Sequence, residues 1–261
     1  MATAGLGMAP TAGADGSPAV RLYVDLMSQP SRAVVIFAKI NKLPVEVRNV
    51  FIHKGETRAP AFLAINPMGK VPALEDTRLS PPLCLPESGA IMGYLARSFP
   101  DRVPEHWFPR ADPAAAARVE SALHWYHANI RIGAMRLAWN KVVAGMMGQK
   151  GDDALAADGA KVLQMALANL QAVWLGNGSR RFIGGSQPCA ADLLCACELE
   201  QLQLLRKEAH GTSLDEILTP YPVVRTWLDD VRRTCGPEYG EGHKVLGVAV
   251  AAQAAKAKAK M

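Results

Sequence analysis

The chain has 261 residues, and domains run to roughly 100–200 residues, so it has room for one large domain or two small ones. Its hydrophobic share of 49% excludes wholesale disorder. The formal charge of +5 is a modest excess, and Lys256, Lys258 and Lys260 sit in a terminal Ala/Lys run, so no basic patch interleaved with aromatics supports a nucleic-acid partner. The cysteines (Cys84, Cys189, Cys195, Cys197 and Cys235) are odd in number and scattered, which excludes a disulfide framework and fits a reducing compartment. No apolar run reaches the ~18 residues of a membrane-spanning helix, and no membrane partner is expected.

Residues 1–19 are rich in Gly, Ala, Thr and Pro, with no apolar core and no arginine before Arg21. They fit neither a secretory signal nor a transit peptide, and a disordered leader is expected. Residues 22–26 have the length and apolar character of a short buried strand. A break carrying Ser28 follows, and Pro30 suits the first turn of a helix. Val34, Val35, Phe37, Ala38 and Ile40 then keep the spacing of an amphipathic helix. Ser28 therefore falls between a strand end and a helix start, where free N–H groups and the helix dipole favour a thiolate or another small anion.

Residues 45–52 alternate apolar and polar as a half-buried strand does. Residues 59–65 read as a short helical piece ended by Asn66-Pro67-Met68-Gly69. Residues 70–74 and 83–85 read as two strands joined by 75–82, and 87–98 as a helix with Ile91, Tyr94 and Leu95 on one face. The order β-α-β-α-β-β-α over 20–98 predicts a small mixed sheet flanked by helices. Beyond Phe99, Pro100, Pro104, Pro109 and Pro113 punctuate the chain, giving a linker over 99–110, and strand signals stop. Residues 114–147, 153–175, 190–205 and 221–234 read as helices, and 241–257 as a weaker one. The expected layout is an α/β domain followed by an all-helical one over 111–250, with an Ala/Lys tail at 251–261.

Four segments carry a resemblance: LYVDLMSQPSRAV at 22–34, NPMGKVPAL at 66–74, LPESGAIMGYLA at 85–96 and GGSQPCAADLLCACEL at 184–199. In this order and spacing the chain resembles the soluble glutathione transferases, the theta class in particular, from Arg21 to about Ala249. The resemblance implies a thioredoxin-like N-terminal domain that holds glutathione as co-substrate. It implies a helical-bundle domain that forms most of the site for a small hydrophobic electrophile. It also implies a homodimer, with no metal.

In that family the hydroxyl at the place of Ser28 donates to glutathione's sulfur and favours the thiolate. Hydrogen bonding to the charged form lowers a pKa, at about 1.4 kcal/mol per unit. The alternative is that Ser28 only caps the following helix, and Ser31 is its close rival. The resemblance further places Gln29, Lys54, Thr57, Arg58 and Lys70 around glutathione, and makes Val71-Pro72 a cis-proline turn whose backbone binds the cysteinyl unit. Glu87 and Ser88 would take the γ-glutamyl amine and carboxylate beside a helix start. Theta proteins often carry His or Gln where this chain has Thr57, so Arg58 or Lys54 would hold the glycine carboxylate instead.

Arg131 and Trp139 match positions bordering the electrophile, and Arg131 would either stabilise a departing anion or serve as a partly buried structural arginine. His124 and His127 lack a third ligand and read as core or interface residues, while Cys195 and Cys197 read as small buried hydrophobes. Two further features depart from the family pattern. Cys189 stands where Ser or Thr usually caps a helix, costing ~1 kcal/mol, and the turn over 76–84 is longer. The activities implied are conjugation of electrophiles and reduction of organic hydroperoxides. A non-catalytic glutathione-fold module for ligand carriage or docking is the rival reading, and a cysteine-type transferase is disfavoured because 28–31 holds no cysteine. A cytoplasmic protein is expected, and Ala259-Lys260-Met261 resembles a peroxisomal terminal tripeptide.

Overall fold

The computed structural model describes residues 18–258. Most of the expected leader and the whole of Ala259-Lys260-Met261 lie outside the described residues. The α/β portion runs β1 (Val20–Val24), α1 (Gln29–Ile40), β2 (Val45–Asn49), two 3₁₀ turns (Ile52–Lys54 and Glu56–Arg58) and α2 (Pro60–Leu63). It continues through β3 (Ala73–Asp76), β4 (Leu83–Pro86) and α3 (Ser88–Ser98). The four strands lie in the order β2-β1-β3-β4, with β1 and β2 parallel and the other pairs antiparallel. This is the thioredoxin-like mixed sheet that the resemblance implied.

Strand limits shift from the expected ones where pairing decides them. The first strand begins two residues earlier, because Val20 pairs with both Val45 and Asp76. Ala19, placed in the leader by composition, is buried, and its carbonyl accepts from the Thr77 N–H at 2.9 Å. Pairing of the second strand ends at Asn49, so the expected 45–52 loses its last three residues. The third strand occupies 73–76 rather than 70–74, since its ladder starts only after Pro72, which has no N–H to give.

The helical portion begins with α4 (Pro113–Tyr126), α5 (Ile132–Ala138) and α6 (Ala144–Met146). These form one nearly continuous rod, joined by wide π turns at His127–Arg131 and Trp139–Val143. It then runs α7 (Asp153–Asn169), α8 (Ala190–Gln201), α9 (Lys207–His210), α10 (Leu214–Leu218), α11 (Pro222–Thr234) and α12 (Gly236–Lys258). Asp112 and Asp152 cap α4 and α7, each accepting two backbone N–H groups at 2.8–3.1 Å. α5 and α7 cross closely: a Cβ on Gly133 would come within 2.5 Å of the Leu163 backbone nitrogen, so no side chain fits between them there.

All twelve residues of α8 are buried, as befits a helix with no polar face to water. Its start relies on Asp192, whose carboxylate accepts from Cys189 N (2.8 Å), Ile183 N (2.8 Å) and Trp227 Nε1 (2.7 Å). The weak sulfur cap is thus offset by the acid three residues on. The last helix is longer than the expected 241–257, opening at Gly236 and running to Lys258 inside the expected tail. One contiguous core joins Leu22, Phe37, Leu74 and Ile91 of the α/β portion to Leu194, Trp227 and Leu228 of the helical one. A smaller cluster of Val50, Phe62 and Ala73 forms under α2 on the other face of the sheet.

Candidate functional site

Strand directions bring the predicted glutathione residues to one end of the sheet. Ala73 pairs with Tyr23 on one side and with Pro86 on the other. β1, β2 and β4 run the same way, and β3 runs against them. The exits of β1, β2 and β4 and the entry to β3 therefore share one edge, the crevice beyond the strand carboxyl ends where open α/β sheets bind ligands. Ser28 and Gln29 follow β1; Lys54, Thr57 and Arg58 follow β2; Lys70, Val71 and Pro72 precede β3; Glu87 and Ser88 follow β4.

Ser28 sits at the N-cap of α1 with an extended backbone (φ −80°, ψ 124°), yet its hydroxyl makes no capping hydrogen bond. Its N–H donates to Asp25 O (2.8 Å), and its carbonyl accepts from Arg32 N (3.1 Å). The main chain is fixed at both ends while the hydroxyl stays uncommitted, which removes the cap-only reading. Ser31 is its opposite: fully buried, with an Oγ that finds no partner among the described residues. Gln29 opens α1 and is buried.

Asp25 ties this turn to the next loop, its carboxylate accepting from Met27 N (2.9 Å) and Ile52 N (2.9 Å). Beyond it, Lys54 is exposed with its ammonium 4.5 Å over the Phe51 ring. Thr57 is buried and Arg58 exposed. The turn at 57–58 meets Gly69 (φ +62°) so closely that a Cβ there would come within 2.9 Å of the Thr57 carbonyl and 2.7 Å of the Arg58 guanidinium. Lys70 is exposed, and its carbonyl accepts from Asn66 Nδ2 at 2.7 Å. The Val71–Pro72 peptide is cis, as the resemblance implied, and so is Ser80–Pro81 in the long turn.

Glu87 lies one residue ahead of the helix it was expected to open, in a left-handed backbone conformation (φ +69°) that is costly for a residue with a Cβ. Its carboxylate is largely exposed, 3.9 Å from His127 Nε2, while Ser88 is buried at the start of α3. His124 and His127 are exposed rather than core, and with Glu87 they line a groove of about 640 Å³ between α3 and α4.

Arg131 and Trp139 are half-buried, one closing the first wide turn of the long rod and the other opening the second. Wide turns of this kind often accompany functional sites. Arg131 is bound to the fully buried Glu198 of α8, which also accepts from the Tyr126 hydroxyl at 2.7 Å. Burial pulls the Arg131 pKa down, but the adjacent Glu198 carboxylate outweighs it and holds the guanidinium firmly charged.

Sequence reasoning missed Asp25, Arg32, Glu198 and Gln201. Arg32 is fully buried in α1 and donates to Leu26 O and Met27 O, in the Ser28 turn, and to Cys197 O and Gln201 Oε1 on α8. Burial pushes its pKa down, while Cys197, Glu198 and Glu200 push it back up. The available signal was a charged or amide side chain within an otherwise mostly apolar helical stretch, Arg32 before Ala33–Ala38 and Glu198 and Gln201 among the leucines and cysteines of α8. Cys195 and Cys197 are buried, and burial raises both thiols, Cys197 beyond the range where a thiolate forms.

Comparison with known proteins agrees with this geometry. A family model described as "Glutathione S-transferase, N-terminal domain" matches residues 18–97. Glutathione S-transferase T1 of Arabidopsis thaliana is 36% identical over 227 residues, covering 87% of this chain and 89% of its own. Glutathione S-transferase theta-1 of Homo sapiens is 34% identical over 229 residues, covering 87% and 88%. Glutathione S-transferases T3 and T2 of Arabidopsis thaliana are 37% identical, but the match spans only 37% of their greater length. Among solved structures, apo human glutathione S-transferase T1-1 superposes with a TM-score of 0.74 at 35% identity, covering 87% of this chain and 88% of that one. Human glutathione transferase theta-2 in complex with glutathione superposes at 0.77 and 32% identity, covering 91% of each. Relatives matched over nearly their whole length at 34–36% identity, with superposable structures, show the family, and the chain belongs to the theta class of glutathione S-transferases.

Proposed function

We propose that this chain is a working glutathione transferase in which the Ser28 hydroxyl donates to the sulfur of bound glutathione and holds it as the thiolate. The observation that carries the reading is the uncommitted hydroxyl of an otherwise fixed N-cap residue. A thiol near pKa ~8.5 is mostly protonated at neutral pH, so one or two units decide how much nucleophile exists. The thiolate then attacks the electrophilic carbon of a small hydrophobic substrate and expels its leaving group, or attacks the terminal oxygen of a hydroperoxide. The second route breaks the O–O bond to give glutathione sulfenic acid and an alkoxide that takes a proton from water and leaves as the alcohol; a second glutathione then converts the sulfenic acid to the disulfide and water.

Around the sulfur, the backbone at Val71-Pro72 would pair with the cysteinyl unit in the manner of an added strand. Glu87 would take the γ-glutamyl amine, and Ser88 with the first N–H groups of α3 its carboxylate. Lys54, Arg58 and Lys70, all exposed at the same edge, supply positive charge for the glycine carboxylate, beside Gln29 and Thr57. Arg131 would stabilise a departing anion, with Trp139 bordering the electrophile. A homodimer in the cytoplasm is the expected working form. Ala259-Lys260-Met261 offers a peroxisomal address, and its transplantation onto a fluorescent reporter tests that.

The deciding experiment compares wild type, Ser28→Ala and Ser31→Ala for electrophile conjugation and cumene hydroperoxide turnover, with the thiol pKa of bound glutathione measured alongside. Loss in Ser28→Ala with activity kept in Ser31→Ala supports the assignment. Full activity in Ser28→Ala sinks it, and glutathione binding by wild type without a lowered pKa would favour the non-catalytic module.

A further inference from the structure

The turn carrying Ser28 is held from the other half of the molecule. Arg32 has four terminal N–H groups, and they are used in two pairs. Nη1 donates to Leu26 O (3.0 Å) and Met27 O (3.2 Å), the two carbonyls just before Ser28. Nη2 donates to Cys197 O (3.0 Å) and Gln201 Oε1 (2.8 Å), both on α8. A guanidinium is planar and rigid, so fixing one nitrogen fixes the direction of the other. Among the described residues no carboxylate comes within ion-pair distance of Arg32, and its Nε has no partner. Its orientation therefore depends on those four bonds. Three of the acceptors are main-chain carbonyls. Gln201, 3% exposed, is the only side chain of the set.

We propose that Gln201 of the helical portion is a positioning residue for Ser28, acting through Arg32: it orients the guanidinium that holds the Leu26–Met27 carbonyls, and so fixes where the Ser28 hydroxyl points. A hydrogen bond weakens steeply once its angle or length departs from the optimum, so a loosened turn donates less well to the sulfur. Without the Gln201 bond the guanidinium keeps Cys197 O alone on that side and is free to tilt. This inference rests on the reading of Ser28 as thiolate donor.

Removing Arg32 itself would leave several buried carbonyls unpaired and risk the fold, so the test is made at Gln201. Gln201→Met keeps length and approximate volume but lacks the acceptor. Gln201→Glu restores an acceptor oxygen. Leu199→Ala, elsewhere in the same buried helix, lowers Tm without touching Arg32. The pH profile of kcat/KM is measured for each, with glutathione affinity by calorimetry. The expected result for Gln201→Met is a thiol pKa raised by about 0.5–1 unit, which is a ~3–10-fold loss of thiolate at neutral pH that disappears in alkali. Glutathione affinity should hold within about twofold, Gln201→Glu should keep the wild-type profile, and Leu199→Ala should shift only Tm. A wild-type profile in Gln201→Met overturns the proposal, and so does an equal shift in Leu199→Ala, which would mean general loosening. If Ser28→Ala leaves the profile unmoved, the serine reading itself has failed, an outcome separate from either.

Discussion

Two serines three residues apart meet opposite fates, and the difference is where each hydroxyl ends. Ser28 stands at the last non-helical position, with its hydroxyl free of the backbone. Ser31 is one turn inside, its oxygen fully enclosed and unpartnered among the described residues. An enclosed hydroxyl without a partner costs about 1–3 kcal/mol. Ser31→Ala is accordingly expected to leave activity unchanged and to raise unfolding stability by a few tenths to about 1 kcal/mol, read from urea midpoints. Ser28→Ala should do the reverse, losing about 10–100-fold in kcat/KM near neutral pH, equivalent to one or two pKa units, with little change in stability. A loss of stability in Ser31→Ala would show that its oxygen is bonded in solution.

At the scale of elements, the seam between α1 and α12 is governed by a single missing side chain. A Cβ on Gly242 would lie 2.5 Å from Ile36 Cγ1 and 2.8 Å from its Cδ1, closer than packed carbons approach. Overpacking of this kind costs about 1–3 kcal/mol, which is the destabilisation expected of Gly242→Ala. Ile36→Ala empties the same space, so the double variant should be less destabilised than the sum of the singles. Additive effects in that cycle would mean the two helices do not touch there. Nearby, the exposed Lys39–Glu241 pair at 2.7 Å spans the same two helices, but a solvated pair of this kind contributes well under ~1 kcal/mol. The seam is set by apolar fit.

For the whole molecule, α8, α11 and α12 of the helical portion hold a buried polar cluster, near Arg32 of α1, that makes stability fall in acid. Glu200 of α8 accepts from Arg232 Nε (2.7 Å) and Nη2 (3.0 Å) and from the Tyr239 hydroxyl (3.0 Å). His243 donates Nδ1–H to Tyr239 O (2.8 Å), while its Nε2 is buried without a partner among the described residues. Burial, with the Arg32 charge close by, pushes the His243 pKa down from 6.5 to about 4. A histidine depressed in the folded state favours folding when neutral. Its contribution is full above the unfolded pKa of ~6.5 and is lost as pH falls from there to about 4, at up to ~1.4 kcal/mol per pH unit. Between about pH 7 and 4.5 the wild type should thus lose about 2–3 kcal/mol more than His243→Gln in urea unfolding. Equal losses in the two proteins would place the imidazole in water. Because one core runs through both portions, a single cooperative transition is expected in these measurements.

Much of the architecture was legible in the chain, for a local reason. Strand alternation, Pro30 at a helix start and the apolar spacing after Phe99 are short-range signals, and each marks an element that the structure contains. Three of the four family-like segments, at 22–34, 66–74 and 85–96, were legible as motifs in the α/β portion, and strand direction gathers their predicted site residues at one edge, while the fourth, at 184–199, leads into α8. What the linear chain could not determine was set by pairing and burial. The limits of β1, β2 and β3 moved because their ladder partners, not their own propensities, decide where hydrogen bonding stops. Asp25, Arg32, Glu198 and Gln201 carried no readable role, since a polar residue among apolar neighbours acquires one only when a distant segment arrives as its partner. Arg32 and Gln201 are 169 positions apart and 2.8 Å distant. Only the tertiary structure brings them together, because in a buried site free of water every donor must find its acceptor within the fold.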